Sequence, residues 1–159
     1  SNNNNSVNFS KIGSLNLNRV IFITSRGSAS ASELVINNLT PYTQVVLIGD
    51  NTFGKPVGSF PLSRYNRTLV DNNVELVPIT FATANAQGKA EYFDGFPANY
   101  QVGDSPQFPW GDQRDLRLAA ALQYIQTGNV SGRMVDTYYK PNWEMIDAFT
   151  GLQQEFPAF

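Results

Sequence analysis

Two short apolar runs with a helix-period stretch between them constrain this chain more than anything else in it. Residues 20–24 (VIFIT) are β-branched or aromatic almost throughout and are bounded by polar residues, the pattern of a buried strand. Ala31, Leu34, Val35 and Leu39 follow at i, i+3, i+4 and i+8, one face of a 3.6-residue period. Thr40-Pro41 ends that period, because the residue before a proline is driven out of the helical region. Residues 45–49 (VVLIG) then form a second continuous apolar run. Strand, helix and strand within about 30 residues make a βαβ unit, whose strands lie parallel in one sheet with a right-handed crossover. The expected class is α/β, with the helix packed through Ala31, Leu34, Val35 and Leu39.

Beyond Asp50 the chain is punctuated by Gly and Pro (NTFGKPVGSF), and VELVPITFATANAQGKAEYF predicts a β-hairpin turning at Ala86-Gln87-Gly88. Pro78 in its first arm marks an edge strand or a bulge. Asp112 and Asp115 precede Leu116, Ala119, Ala120, Leu122 and Ile125, which predicts a final helix ended by Gly128. Residues 1–18 are polar and asparagine-rich, with neither the basic nor the apolar region of a targeting peptide, and read as a linker or cut end. Residues 19–128 form the domain. Residues 129–159, with Tyr138, Tyr139, Trp143 and Phe149, are expected to be an aromatic tail packing on it.

Composition removes whole classes of chemistry. The 159 residues, 42% apolar, suffice for one domain with its own core. With no cysteine there is no disulfide, thiol nucleophile or thiolate-bound zinc; with no histidine, proton transfer falls to lysine, tyrosine and carboxylates. The net charge of −2 and scattered basic residues argue against a nucleic-acid partner, and no apolar run is long enough to span a membrane. No membrane contact and no cofactor are expected. Asp94, Asp104, Asp112 and Asp115 lack the spacing of a calcium loop and read as solvated loop and cap residues, so no metal is expected either.

Between the first strand and its helix stands SRGSASASE, residues 25–33. Ser30 followed three residues later by Glu33 is a capping box, and that alone would explain both residues. Topology adds a second reading. Parallel strands end on the same sheet edge, where open α/β folds bind ligands, so the loop with Ser28 and Ser30 and the loop with Lys55 (GDNTFGKPVG) leave from one place. A serine hydroxyl can be activated by an uncharged lysine instead of a histidine. Gly54 permits close backbone approach, Pro56 makes Lys55 extended, and Phe53 and Val57 are apolar enough to shield its amine.

SASASELVINNL followed by VVLIGDNTFGKPVG resembles the core of the C-terminal processing (tail-specific) serine peptidases. Those enzymes carry a Ser-Ala-Ser-Glu helix start and a Thr-Phe/Tyr-Gly-Lys turn about 25 residues later. The resemblance extends through VPITFATANAQGKAEYFDGFPANYQV and GDQRDLRLAAALQYI, roughly residues 18 to 127. It implies a crotonase-like α/β peptidase core with Ser30 as nucleophile, Lys55 as base, Glu33 orienting the dyad and the Ala31 amide as an oxyanion donor; it gives Ser28 no role. It also implies an acyl-enzyme mechanism acting on protein C-termini or unstructured polypeptide.

The family's Asp-Leu-Arg-x-Asn-x-Gly-Gly segment, which supplies the second oxyanion amide, and its common PDZ domain have no counterpart in the first 18 residues. The expectation is therefore the C-terminal part of a peptidase domain, weakly active or inactive alone, that self-associates or associates with the upstream segment. The resemblance also implies an exported bacterial protein, periplasmic or at the cell surface. The alternatives are a non-catalytic peptide-binding module of the same fold, for which Ser30 and Lys55 would be dispensable, and a crotonase-like domain acting on acyl thioesters.

Overall fold

A computed structural model describes residues 5–131, and the βαβ unit stands at its centre. Strand β1 (Arg19–Thr24), helix α1 (Ala31–Leu39) and strand β2 (Gln44–Gly49) follow in order, the strands parallel from Arg19 opposite Gln44 to Thr24 opposite Gly49. Then come β3 (Val57–Ser59), a 3-10 turn (Leu62–Arg64), α2 (Arg67–Asp71), β4 (Ile79–Ala82), β5 (Tyr100–Gln101) and α3 (Leu116–Thr127). Strand β5 joins β2 in parallel, giving the order β1-β2-β5.

Side chains alternate across β2, and both faces are covered. Val46 and Ile48 pack with Val102 and with Ala120, Ala121 and Tyr124 of α3. Leu47 faces the other way, onto Ile36 of α1 and onto Tyr92 and Phe96, with Val45 beside it. Coverage on both faces is what a continuous apolar strand in a parallel sheet requires. Each large apolar side chain so buried contributes about 1.5–3 kcal/mol.

Helix α1 has the expected bounds but a different buried face. Glu33, Ile36 and Asn37 are inside, while Ala31 is exposed and Val35 is 48% exposed. The two buried polar residues are satisfied, which decides the face over apolar period. Asn37 Nδ2 donates to the Lys89 carbonyl (2.8 Å), and Asn85 Nδ2 donates to Asn37 O and Oδ1 (3.1 Å each).

The same amides undo the expected hairpin. A turn does form at its tip: Gly88 N–H donates to Asn85 O (2.9 Å), and Asn85 Oδ1 accepts from Gln87 and Lys89 N–H (2.9 and 3.0 Å). The chain beyond it is drawn to α1 through Asn37 and does not return along β4. Strand β4 pairs instead with β3, antiparallel, with an irregularity at Gly58/Ser59. All four β4 residues are exposed, and Pro78 stands just before the strand.

Helix α3 starts where Asp115 accepts the Leu118 N–H (2.8 Å) and ends at left-handed Gly128 (φ 74°). Its buried residues are Ala120, Ala121 and Tyr124; Ile125 is 47% exposed. Residues 5–18 carry no helix or strand and are exposed. Val130 packs against the cluster under α3, while Tyr138, Tyr139, Trp143 and Phe149 lie outside the described residues. Among the described residues no helix is long and apolar enough to cross a membrane, and no three metal-ligating side chains gather. Asp104, Asp112 and Asp115 are engaged with the Ser105 N–H, Arg114 and the α3 N-terminus.

Candidate active site

The carboxyl ends of β1 and β2 are clamped together, so the two loops start from a fixed base. Thr24 Oγ1 donates to Asp50 O (2.6 Å), and Asp50 N–H donates to Thr24 O (3.0 Å). Gly49 has φ 125°, and a Cβ there would stand 2.2 Å from Thr24 O, so a side chain would drive the loops apart.

The first loop opens with a closed turn. Ser28 N–H donates to Ser25 O (2.9 Å), Ser25 N–H to Ser28 Oγ (3.1 Å) and Gly27 N–H to Ser25 Oγ (3.2 Å). The Ser28 hydroxyl is thus a turn-closing group. Ser30 is different. Its backbone lies at φ 52°, ψ −109°, a conformation that costs a side-chain-bearing residue about 1–3 kcal/mol and persists only when its surroundings enforce it.

What enforces it is α1 itself. Leu34 N–H donates to Ser30 O (2.8 Å), and Ser30 N–H donates to Glu33 Oε2 (3.1 Å). The glutamate half of the capping box is closed. Ser30 Oγ faces the Glu33 N–H without the geometry of a normal capping bond. The next amide, Ala31 N–H, has no acceptor among the described residues, although Ser32 N–H donates to Ala29 O (3.1 Å). A helix start thus presents a hydroxyl and an open amide side by side, at the positive end of the helix dipole.

Glu33 is wholly buried and accepts four hydrogen bonds. Oε2 takes Ser30 N–H and Lys55 N–H (2.8 Å); Oε1 takes Thr52 Oγ1 (2.6 Å) and Gly54 N–H (2.7 Å). One oxygen therefore holds the main chains of Ser30 and Lys55, whose nitrogens can be no farther apart than those two bonds laid end to end. The sequence brings all four expected site residues, Ser30, Ala31, Glu33 and Lys55, to this junction. Around Lys55, Pro56 is buried and Val57 half-buried, but Phe53, expected to shield the lysine, is 58% exposed.

Two contributors were not foreseen. Thr52, fully buried, donates to Glu33 and accepts the Phe96 N–H (2.7 Å), and its own N–H donates to Phe96 O (3.0 Å). The 92–98 loop lies against that turn: a Cβ on Gly54 (φ 99°) would stand 2.1 Å from Phe93 O, and one on Gly95 (φ 78°) 2.2 Å from Thr52 O. Threonine beside Phe-Gly-Lys, and an Asp-Gly turn 40 residues on, were the only signals, and neither names its partner.

Residues 1–79 match the family model described as peptidase family S41. The stretch includes Ser30, Ala31, Glu33 and Lys55. Among solved structures, the crystal structure of a "Putative S41 protease" from Bacteroides fragilis is 33% identical, with a TM-score of 0.55 over an alignment covering 71% of this chain. The chain belongs to peptidase family S41. This S41 chain spans 28% of the length of the Bacteroides fragilis protein. No curated protein matches it.

Proposed function

We propose that this S41 chain carries the nucleophile and general base of a serine endopeptidase acting on protein C-termini or unstructured polypeptide. Ser30 is the nucleophile, Lys55 the base, the Ala31 amide an oxyanion donor, and Glu33 the residue that positions the two turns. The observation that carries this reading is the strained Ser30 backbone beside an open Ala31 amide, tied through one buried carboxylate to the Lys55 turn.

Strain at a helix start costs stability and is retained where a side chain must be presented in one direction. In the proposed reaction Lys55, acting as the free amine, takes the Ser30 hydroxyl proton while Oγ adds to the scissile carbonyl. The Ala31 N–H faces the oxygen that gains charge. Collapse of the adduct expels the amine with a proton from Lys55, and water then releases the acyl group by the reverse sequence. A preceding segment completes a crotonase-like core and supplies the second oxyanion amide. The setting is the periplasm or surface of a bacterium.

The test is turnover of an unstructured polypeptide by the full-length protein. Ser30→Ala and Lys55→Ala are each expected to lower kcat by at least about 10³-fold. The 159-residue chain alone is expected to be slower by about 10²- to 10³-fold, the usual effect of losing one oxyanion donor. Undiminished turnover by Ser30→Ala would remove the serine mechanism.

A further inference from the structure

The loop that carries Ser30 and the loop that carries Lys55 keep step with each other. Along β1 and β2 each residue faces the one 25 positions later, from Arg19 and Gln44 to Thr24 and Gly49. The same separation returns beyond the strands. Phe53 N–H donates to Ser28 O (2.9 Å), and Ser30 and Lys55, again 25 positions apart, both donate their N–H groups to Glu33 Oε2. The two loops therefore spend equal numbers of residues between the sheet edge and the junction. Two ties hold them in register: a direct one from Phe53 to Ser28, and one through Glu33 two residues further along each loop.

These ties lie on opposite sides of the strain at Ser30. A residue held at φ 52° relaxes unless both of its flanks are fixed. On the helix side, Leu34 N–H holds Ser30 O and Glu33 holds Ser30 N–H. On the strand side, Ala29 alone separates Ser30 from Ser28, and the Ala29 carbonyl is taken by Ser32 N–H (3.1 Å). Ser28 is kept in place by its own side chain. Its Oγ accepts Ser25 N–H (3.1 Å) while its N–H donates to Ser25 O (2.9 Å), a reciprocal pair that closes the turn directly onto the end of β1.

We infer that Ser28 is a positioning residue for the reaction. Its hydroxyl anchors the turn, its carbonyl receives the Lys55 loop, and together they hold Ser30 in its strained conformation and in step with Lys55. Ser28 acts through these two loops and takes no proton itself. A nucleophile displaced by about 1 Å loses on the order of 10²-fold in rate, and losing the anchor of one tie out of two costs part of that. The rate effect rests on the peptidase reading; the anchoring of Phe53 is a property of the fold and does not.

The experiment compares the full-length protein with Ser28→Ala, Ser28→Thr and, as a control in the same turn, Ser25→Ala, whose lost hydroxyl takes the Gly27 N–H (3.2 Å) and not the Lys55 loop. With an unstructured polypeptide as substrate, Ser28→Ala is expected to lower kcat about 10- to 30-fold with KM within about twofold. Ser28→Thr, which keeps the hydroxyl, should recover kcat to within about threefold of the wild type, and Ser25→Ala should stay within the same range. Amide exchange resolved at single residues needs no turnover: the Phe53 protection factor should fall about tenfold in Ser28→Ala and hold in Ser28→Thr. Unchanged kcat or unchanged Phe53 protection in Ser28→Ala would overturn the inference. So would a rise in KM alone, which marks a substrate contact, or a Ser28→Thr variant as slow as Ser28→Ala. Failure of the wild-type protein to cleave any polypeptide would count against the peptidase reading, and the Phe53 protection factors would still decide whether Ser28 anchors the two loops.

Discussion

The Glu33 junction and the lobe of residues 57–82 grow from the same loop, yet they are built in opposite ways. At the junction Glu33 and Thr52, and one turn along α1 Asn37, are polar and fully buried, and each is hydrogen-bonded to main chain or side chain of another segment. In the lobe the two-stranded sheet leaves Ile79 69% and Phe81 38% exposed, and its contacts are soft: Phe60 against Phe81 at 4.9 Å, and Phe81 laid over Gly58. Buried hydrogen bonds are directional and costly to leave unmade, whereas apolar contacts at a surface tolerate shifts. Geometry is thus fixed where Ser30 and Lys55 meet and left forgiving a few residues away.

Substitutions should expose that contrast in order. Glu33→Ala leaves four donors facing a cavity and is expected to cost about 3–5 kcal/mol in urea unfolding. Gly54→Ala, forced against the Phe93 carbonyl at a positive φ, is expected to cost about 3 kcal/mol. Thr52→Val keeps the shape but strands the Phe96 N–H and empties one Glu33 acceptor, for about 1–3 kcal/mol. In the lobe, the atoms nearest a Cβ on Gly58 belong to the exposed Phe81 ring and not to backbone, so Gly58→Ala should stay under about 1 kcal/mol; Ile79→Thr should fall within about 0.5 kcal/mol. A lobe substitution as costly as Thr52→Val would break the comparison.

The smallest effect is a pH response confined to the lobe. The Ser63 hydroxyl, then the Ser63 N–H and the Leu76 N–H, donate to the Glu75 carboxylate and hold its pKa below the ordinary glutamate value. A lowered folded-state pKa means stabilisation that is present above the unfolded value and lost as pH falls through the folded one. The protection factors of the Ser63 and Leu76 amides, taken relative to their intrinsic exchange rates, should therefore fall on acidification below the usual glutamate range, while those of residues 45–49 of β2 hold.

The parts of this molecule legible in the sequence are those that depend on local pattern. The parallel pair β1–β2, the bounds of α1 and the Asp115 and Gly128 ends of α3 follow from apolar runs, Pro41 and cap residues. The juxtaposition of the two loops followed from the parallel topology. What escaped is non-local and polar. Asn37 and Asn85 are unremarkable in sequence, yet their pairing turns α1 to its polar face and keeps the chain after Gly88 from returning along β4. Thr52 lies within the Thr-Phe-Gly-Lys motif, but its bond to the Phe96 amide spans 44 residues and no local pattern reports it. The capping-box spacing is local and legible, while the strain at Ser30 and the reach of Glu33 to the second loop arise from tertiary structure.

The central claim is that Glu33 builds the junction so that Ser30, and no other serine in SRGSASASE, is the reactive one. Intact-mass and peptide-mapping spectrometry of the full-length protein after timed exposure to a fluorophosphonate tests it most directly. The account predicts a single adduct on Ser30, formed about 10²-fold more slowly in Glu33→Gln and absent in Ser30→Ala. An adduct on Ser28, or labelling that proceeds equally in Ser30→Ala, would contradict it.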